Sequence, residues 1–177
     1  MPAKNPARKQ NKVVKKKTPK VVAARSSSVV EAYGNSWSGT SETVAQDISA
    51  IEQALGVIIP SNLRKFLLSC AGRQPTKNFF DNPESEVFEL GMGTVLPLRD
   101  HARQKGLAAT CLLLRTAQAL PRELIPFARD TGNANVICLR LPAQDIVYWL
   151  HDDKDEPIRR VAKSLGEFLS GLGECPF

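Results

Sequence analysis

Acidic residues are missing from the first thirty positions of this chain, and histidine is nearly missing from all of it. Met1 to Val30 hold nine Lys or Arg and no Asp or Glu, whereas Glu31 to Phe177 hold fifteen Lys or Arg against eighteen Asp or Glu. The net charge of +6 is therefore +9 from the leading segment and −3 from the remainder, fifteen less eighteen. The basic isoelectric point describes that segment and does not mark the rest as a nucleic-acid-binding fold. The two histidines, His101 and His151, have no second His, Cys or carboxylate at metal-ligand spacing on a helix face, so no metal centre is expected. Cys70, Cys111, Cys138 and Cys175 form no CxxC pair, and three of them sit in apolar surroundings where a thiol packs as a small hydrophobe, which fits a reducing compartment. No apolar run of about 7–15 residues follows the leading positive charge, and nothing approaches the roughly 20 apolar residues of a membrane span. A soluble cytoplasmic protein without a membrane partner is the expectation.

Catalytic signatures are missing too. There is no GxSxG, no HExxH and no pair of carboxylates in a Gly-bounded cleft. Gly91-Met92-Gly93 resembles the start of a phosphate loop but lacks the third glycine, Lys or Ser/Thr at the required spacing. His151 beside Asp152 and Asp153 suggests a small metal or acid/base cluster, but successive residues on a strand point to opposite faces, and a surface loop is the plainer reading. No catalytic residue, metal or cofactor is expected, and an enzyme is disfavoured.

What is present divides into a basic tail, residues 1–38, and a folded domain, residues 39–177. In the tail, Pro2, Pro6 and Pro19 interrupt any helix, Lys15, Lys16 and Lys17 repel one another, and the few valines bury too little surface to offset ordering, so disorder is expected. These lysines suit a polyanion such as nucleic acid, since each one near a phosphate releases a counterion; a solubilising extension explains the same composition. A mitochondrial presequence is a third option, against which lysine-dominated composition with scattered prolines makes a poor amphipathic helix.

Within the domain, Val44, Ile48, Ile51 and Leu55 recur at helical spacing over residues 41–55, and Gly56 stops the helix. Pro60 has the fixed φ of a first helical position, and Leu63, Phe66, Leu67 and Cys70 give a second helix one apolar face before Gly72. Arg73 to Pro83 reads as a loop pinned by Phe79 and Phe80. Val87–Leu90 and Thr94–Leu98 read as two strands, or a strand and a bend, on either side of the glycine pair. Asp100 to Ala119 predicts a helix in two pieces broken at Gly106. Leu124–Ala128, Asn135–Leu141 and Asp145–His151 predict an antiparallel meander, with Pro126 placing its strand at an edge or a bulge and Asp130 to Asn133 as a turn. His151 to Pro157 is an acidic loop, Ile158–Ala162 a further strand, and Ser164 with Glu167 the capping box of a last helix that buries Leu165, Phe168, Leu169 and Leu172. The class is α+β: an antiparallel sheet flanked by N-terminal helices and a C-terminal helix.

Two features invite a partner. Tyr148-Trp149 is most simply packing beneath a helix. Next to it, Asp152, Asp153, Asp155 and Glu156, broken only by Lys154, form a solvated loop or a docking patch that steers a basic protein. Phe79 and Phe80 are the alternative contact residues.

The order Ile51-Glu52 to Leu55-Gly56, Ile59-Pro60, Phe66-Leu67, Ala71-Gly72, Leu120-Pro121, Leu124-Ile125-Pro126-Phe127-Ala128, Gly132-Asn133, Cys138-Leu139, Val147-Tyr148, Ser164-Leu165 and Glu167-Phe168-Leu169 resembles the SMI/KNR domain of the SUKH superfamily over roughly Thr43 to Leu172. The resemblance implies an α+β fold and non-enzymatic binding. It points to immunity proteins that neutralise polymorphic toxins, often nucleases or deaminases, and to fungal cell-wall synthesis regulators. The expected function is immunity-type binding of a basic toxin domain through the acidic loop, with a regulatory scaffold that contacts nucleic acid through its tail as the alternative.

Overall fold

The computed structural model describes residues 28–40, 43–87, 89–101 and 104–176. Lys15, Lys16 and Lys17, and the expectations of a disordered arm and of polyanion contacts attached to them, lie outside the described residues.

The first described element corrects the tail boundary. Strands β1 (Ser28–Ala32) and β2 (Asn35–Gly39) form a hairpin, and β3 (Arg73–Pro75) pairs antiparallel with β2. Tyr33 and Gly34 turn the hairpin with φ of 56° and 70°, the pair of positive values that a two-residue turn between twisted strands requires. Counting valines misses the reason for order, which is one aromatic. Trp37 is fully buried, its Nε1–H donates to the Ala32 carbonyl at 2.8 Å, and its ring meets Phe66 edge-on at 5.4 Å. Arg73, itself buried, donates to the Ser28 and Gly39 carbonyls and to Ser28 Oγ, which fastens both ends of the hairpin to the second helix's exit. Residues 28–38 therefore belong to the folded unit.

Helices α1 (Ala45–Leu55) and α2 (Ser61–Cys70) bury the predicted faces, Ile48, Ile51 and Leu55 in one and Leu63, Phe66, Leu67 and Cys70 in the other. Val44 is the exception, 43% exposed just before α1, where its N–H donates to Asp47 Oδ2. Gly56 ends α1 in the left-handed conformation. Gly72 has φ of 76°, and a Cβ there would lie 2.7 Å from the Thr40 carbonyl oxygen, so only glycine lets the chain leave α2 against the hairpin.

The larger sheet has seven strands in the order β10-β4-β5-β6-β7-β8-β9, all antiparallel. Its strands are β4 (Phe79–Phe80), β5 (Leu90–Val95), β6 (Leu124–Asp130), β7 (Val136–Arg140), β8 (Asp145–Trp149), β9 (Ile158–Ala162) and β10 (Leu172–Gly173). The expected loop over residues 73–83 thus carries two short strands. The expected break at Gly91-Met92-Gly93 is instead one continuous strand. Gly93 is needed there for closeness, since a Cβ would sit 2.5 Å from the Asp130 carbonyl oxygen on β6. Pro126 does mark a register shift, and it lies inside the sheet and not at its edge. Helix α3 (Leu107–Gln118) is the second of the two expected pieces, and among the described residues before it Asp100, His101 and Gln104 to Gly106 are not helical; the Gly106 N–H donates to Asp100 Oδ1 at 2.7 Å. Helix α4 (Leu165–Ser170) starts at Ser164, whose Oγ accepts from the Glu167 N–H, while the Glu167 carboxylate reaches back to the N–H of Lys163, one residue before the cap.

Rings connect the layers. Trp37, Phe66, Phe127, Phe168 and Phe80 follow one another at centroid separations of 5.4, 5.9, 6.2 and 5.1 Å, from the small sheet through the core to α4. The larger sheet curls until its two ends are bridged by the segment after β4. Asn82 bonds Glu167, Glu84 pairs with Lys163, and Glu86 exchanges two hydrogen bonds with the Arg160 backbone. That last contact covers the outer edge of β9.

Candidate functional site

The loop between β8 and β9 is built by its own second aspartate. Leu150 N–H donates to the Pro157 carbonyl, closing the neck at 2.8 Å. Inside it, Asp153 Oδ1 accepts from the Asp155 and Glu156 N–H groups at 3.1 and 3.0 Å, and Oδ2 accepts from Arg159 at 2.8 Å. The Glu156 backbone bond, followed by the Arg159 contact, holds the Asp153 carboxyl below its usual range. Asp153 is therefore a brace, and its charge is already answered. The other three carboxylates are presented outward: Asp152 has a side chain 90% exposed and lies 3.1 Å from His151 Nε2, and Asp155 and Glu156 are exposed with no ion-pair partner among the described residues.

Burial explains how the loop is held to the sheet. Asp130, at the end of β6, accepts from Tyr148 Oη at 2.7 Å and from the Ala134 N–H at 3.0 Å. Burial first, and the Asp130 carboxylate second, push the Tyr148 hydroxyl up to about 12. Asn135 Nδ2 donates to Tyr148 Oη at 3.1 Å, and Asn135 Oδ1 lies 3.0 Å from His151 Nδ1. His151 Nε2 lies 3.1 Å from Asp152. The argument from alternating strand faces fails for this pair because β8 ends at Trp149, which leaves both residues on the turn. His151 thus connects the buried turn to the loop. Among the described residues no group of three or more His, Cys, Asp or Glu side chains is arranged to hold a metal ion.

One residue absent from the sequence reading completes the surface. Glu86 lines, with Asp155, Glu156, Pro157 and Ile158, a concavity of about 540 Å³ whose polar side chains are all carboxylates. Its position comes from the β9 edge contact, across 74 residues of sequence, so no local pattern announces it. Phe79 and Phe80 do not join this surface as a pair. Phe80 is 1% exposed against Phe168 and is a core side chain, which removes it as a contact residue; Phe79 is half-buried on β4. Tyr148 is partly buried and Trp149 fully so, in agreement with a packing role.

No described helix is long and apolar enough to cross a membrane. A search of the curated proteins finds no match to the chain. The model of the SMI1 / KNR4 family (SUKH-1) matches residues 44–171, a span that runs from the start of α1 to the end of α4 and takes in the whole β5–β9 meander. The family match fits a non-enzymatic, immunity-type domain at the level of the family. By the extent of this match and the order of its elements, the chain belongs to the SMI1 / KNR4 family (SUKH-1).

Proposed function

We propose that this protein is an immunity-type binding protein that neutralises a basic toxin domain, such as a nuclease, by docking it on the acidic loop. The observation that carries the reading is the division of labour among the loop's carboxylates. Asp153 is spent on holding the loop, Asp152 faces solvent next to His151, and Asp155 and Glu156 face solvent beside Glu86. A fixed loop that presents charge steers encounter without first being ordered. Binding that covers a basic active site needs no chemistry from this chain, and the cytoplasm is where such a partner would be met.

The experiment is co-expression with the product of the adjacent gene. Rescue of growth from that product's toxicity, together with a stable complex of the two proteins, supports the reading. An adjacent product that is neither toxic nor bound would contradict it. The charge division of the sequence favours a second reading, a regulatory scaffold whose basic leading segment contacts nucleic acid while the domain binds protein. Nucleic-acid binding that survives in the whole chain but disappears when residues 1–27 are deleted would favour the scaffold.

A further inference from the structure

Helix α3 has two apolar faces, and the sheet takes only one. Leu107 and Cys111 are buried, and Leu114 packs against the core. Leu112 and Leu113 remain 43% and 47% exposed. Leu112, Arg115 and Thr116, at positions i, i+3 and i+4, share a stripe that faces the end of α1. Between them lies an open groove of about 690 Å³ with Leu55, Val57 and Leu120 on its other walls. Ile58 follows Val57 and is 81% exposed. Of the six large hydrophobic residues that are exposed among the described residues, Leu112 lines this groove and Ile58 follows its wall residue Val57 in the chain, where isolated exposed side chains would need no explanation.

Its charge has the opposite sign to that of the acidic loop. Arg115 donates through Nη2 to the Arg122 carbonyl at 2.8 Å and through Nη1 to the Leu55 carbonyl at 3.5 Å, and its Nε is buried with no acceptor. Arg122 is exposed on the same wall. Among the described residues neither guanidinium has a carboxylate within ion-pair distance, and Glu52 on α1 is already held by Arg64 and the Ile59 N–H. Two cations without counter-ions beside exposed leucines complement an apolar stripe flanked by acids.

We propose that the groove between α1 and α3 binds an acidic amphipathic helix of a protein partner, with its apolar stripe on Leu112, Val57 and Ile58 and its carboxylates toward Arg115 and Arg122. Helix-in-groove recognition uses this arrangement of a hydrophobic channel with charged margins. The groove shares no residue with the concavity beside the acidic loop, so this site and the toxin-binding reading stand or fall separately.

The test uses the full chain and two labelled helical peptides of about 18 residues, long enough to hold a helix. Both carry the same leucine stripe; one is flanked by Glu and the other by Lys. Saturable binding of the Glu peptide, with backbone amide shifts centred on Leu112, Arg115 and Ile58, is expected. Leu112→Asp and Ile58→Asp should each weaken it about tenfold or more, as loss of an interface anchor does. Because both side chains are exposed, circular dichroism and melting should match the parent. Arg122→Glu should weaken the Glu peptide and strengthen the Lys peptide. Absence of binding, equal affinity for both peptides, or shifts centred elsewhere would overturn the proposal. So would a dimer in sedimentation that Leu112→Asp dissolves, since the groove would then belong to a second copy of the chain.

Discussion

The hairpin at residues 28–39 and the loop at residues 150–157 are both short and polar, and they are held in opposite ways. The hairpin is attached to the core by one ring and one guanidinium, Trp37 against Phe66 and Arg73 across Ser28 and Gly39. The loop buries none of its acidic side chains and is organised by Asp153 accepting from its own backbone. Composition alone predicts disorder for the first and solvation for the second. A single buried aromatic reverses the prediction for the hairpin, because fully burying a large ring is worth more than a hairpin of this length gains from its own bonds.

Breaking the hairpin's attachment should have the largest effect. Trp37→Ala is expected to destabilise the protein by about 3–5 kcal/mol, the range for deleting a buried aromatic ring, as measured by denaturant unfolding. A change below about 1 kcal/mol would mean that the hairpin is an accessory and that the boundary at residue 39 was right after all.

High pH should loosen both regions. Burial pushes the Cys70 thiol, on α2 beneath the hairpin, from 9.0 to about 12, and the Tyr148 hydroxyl, under the loop, from 10.0 to about 12. Both folded-state values are raised, so the stabilisation is complete below about pH 9 and is lost as pH climbs toward 12. Thermal melts across that window should fall steadily, and Cys70→Ala should flatten the first part of the fall. A midpoint that holds constant up to pH 11 would contradict this.

The smallest effect belongs to the loop. Asp153→Ala should leave the melting temperature nearly unchanged while speeding hydrogen exchange at the Asp155 and Glu156 amides. Unchanged protection there would show that Asp153 is not the brace.

The parts of the fold legible in the sequence are those set by local periodicity. The faces of α1 and α2 follow from apolar spacing, the meander from short strands between turn residues, and the bulge from Pro126. Three features were hidden because their causes are distant in sequence. Trp37 packs on Phe66, Gly93 must be glycine because the Asp130 carbonyl comes so close, and Glu86 reaches the acidic surface through Arg160. At the candidate site, the acidic run itself was visible. The separation of Asp153 from its exposed neighbours was not, since it depends on which carboxylate turns inward, and Phe80 was misplaced because a loop aromatic and a core aromatic look alike in sequence.

The most direct test of the loop's role is the association rate of the proposed partner, the product of the adjacent gene, with Asp152→Lys/Asp155→Lys/Glu156→Lys, which leaves Asp153 in place, compared with the parent at low and moderate salt. If the exposed carboxylates steer the encounter, the parent associates fast at low salt and slows as salt screens it, while the variant is slow at both and nearly salt-independent. Association of the variant at the parent's rate under both conditions would remove the acidic loop from the interface.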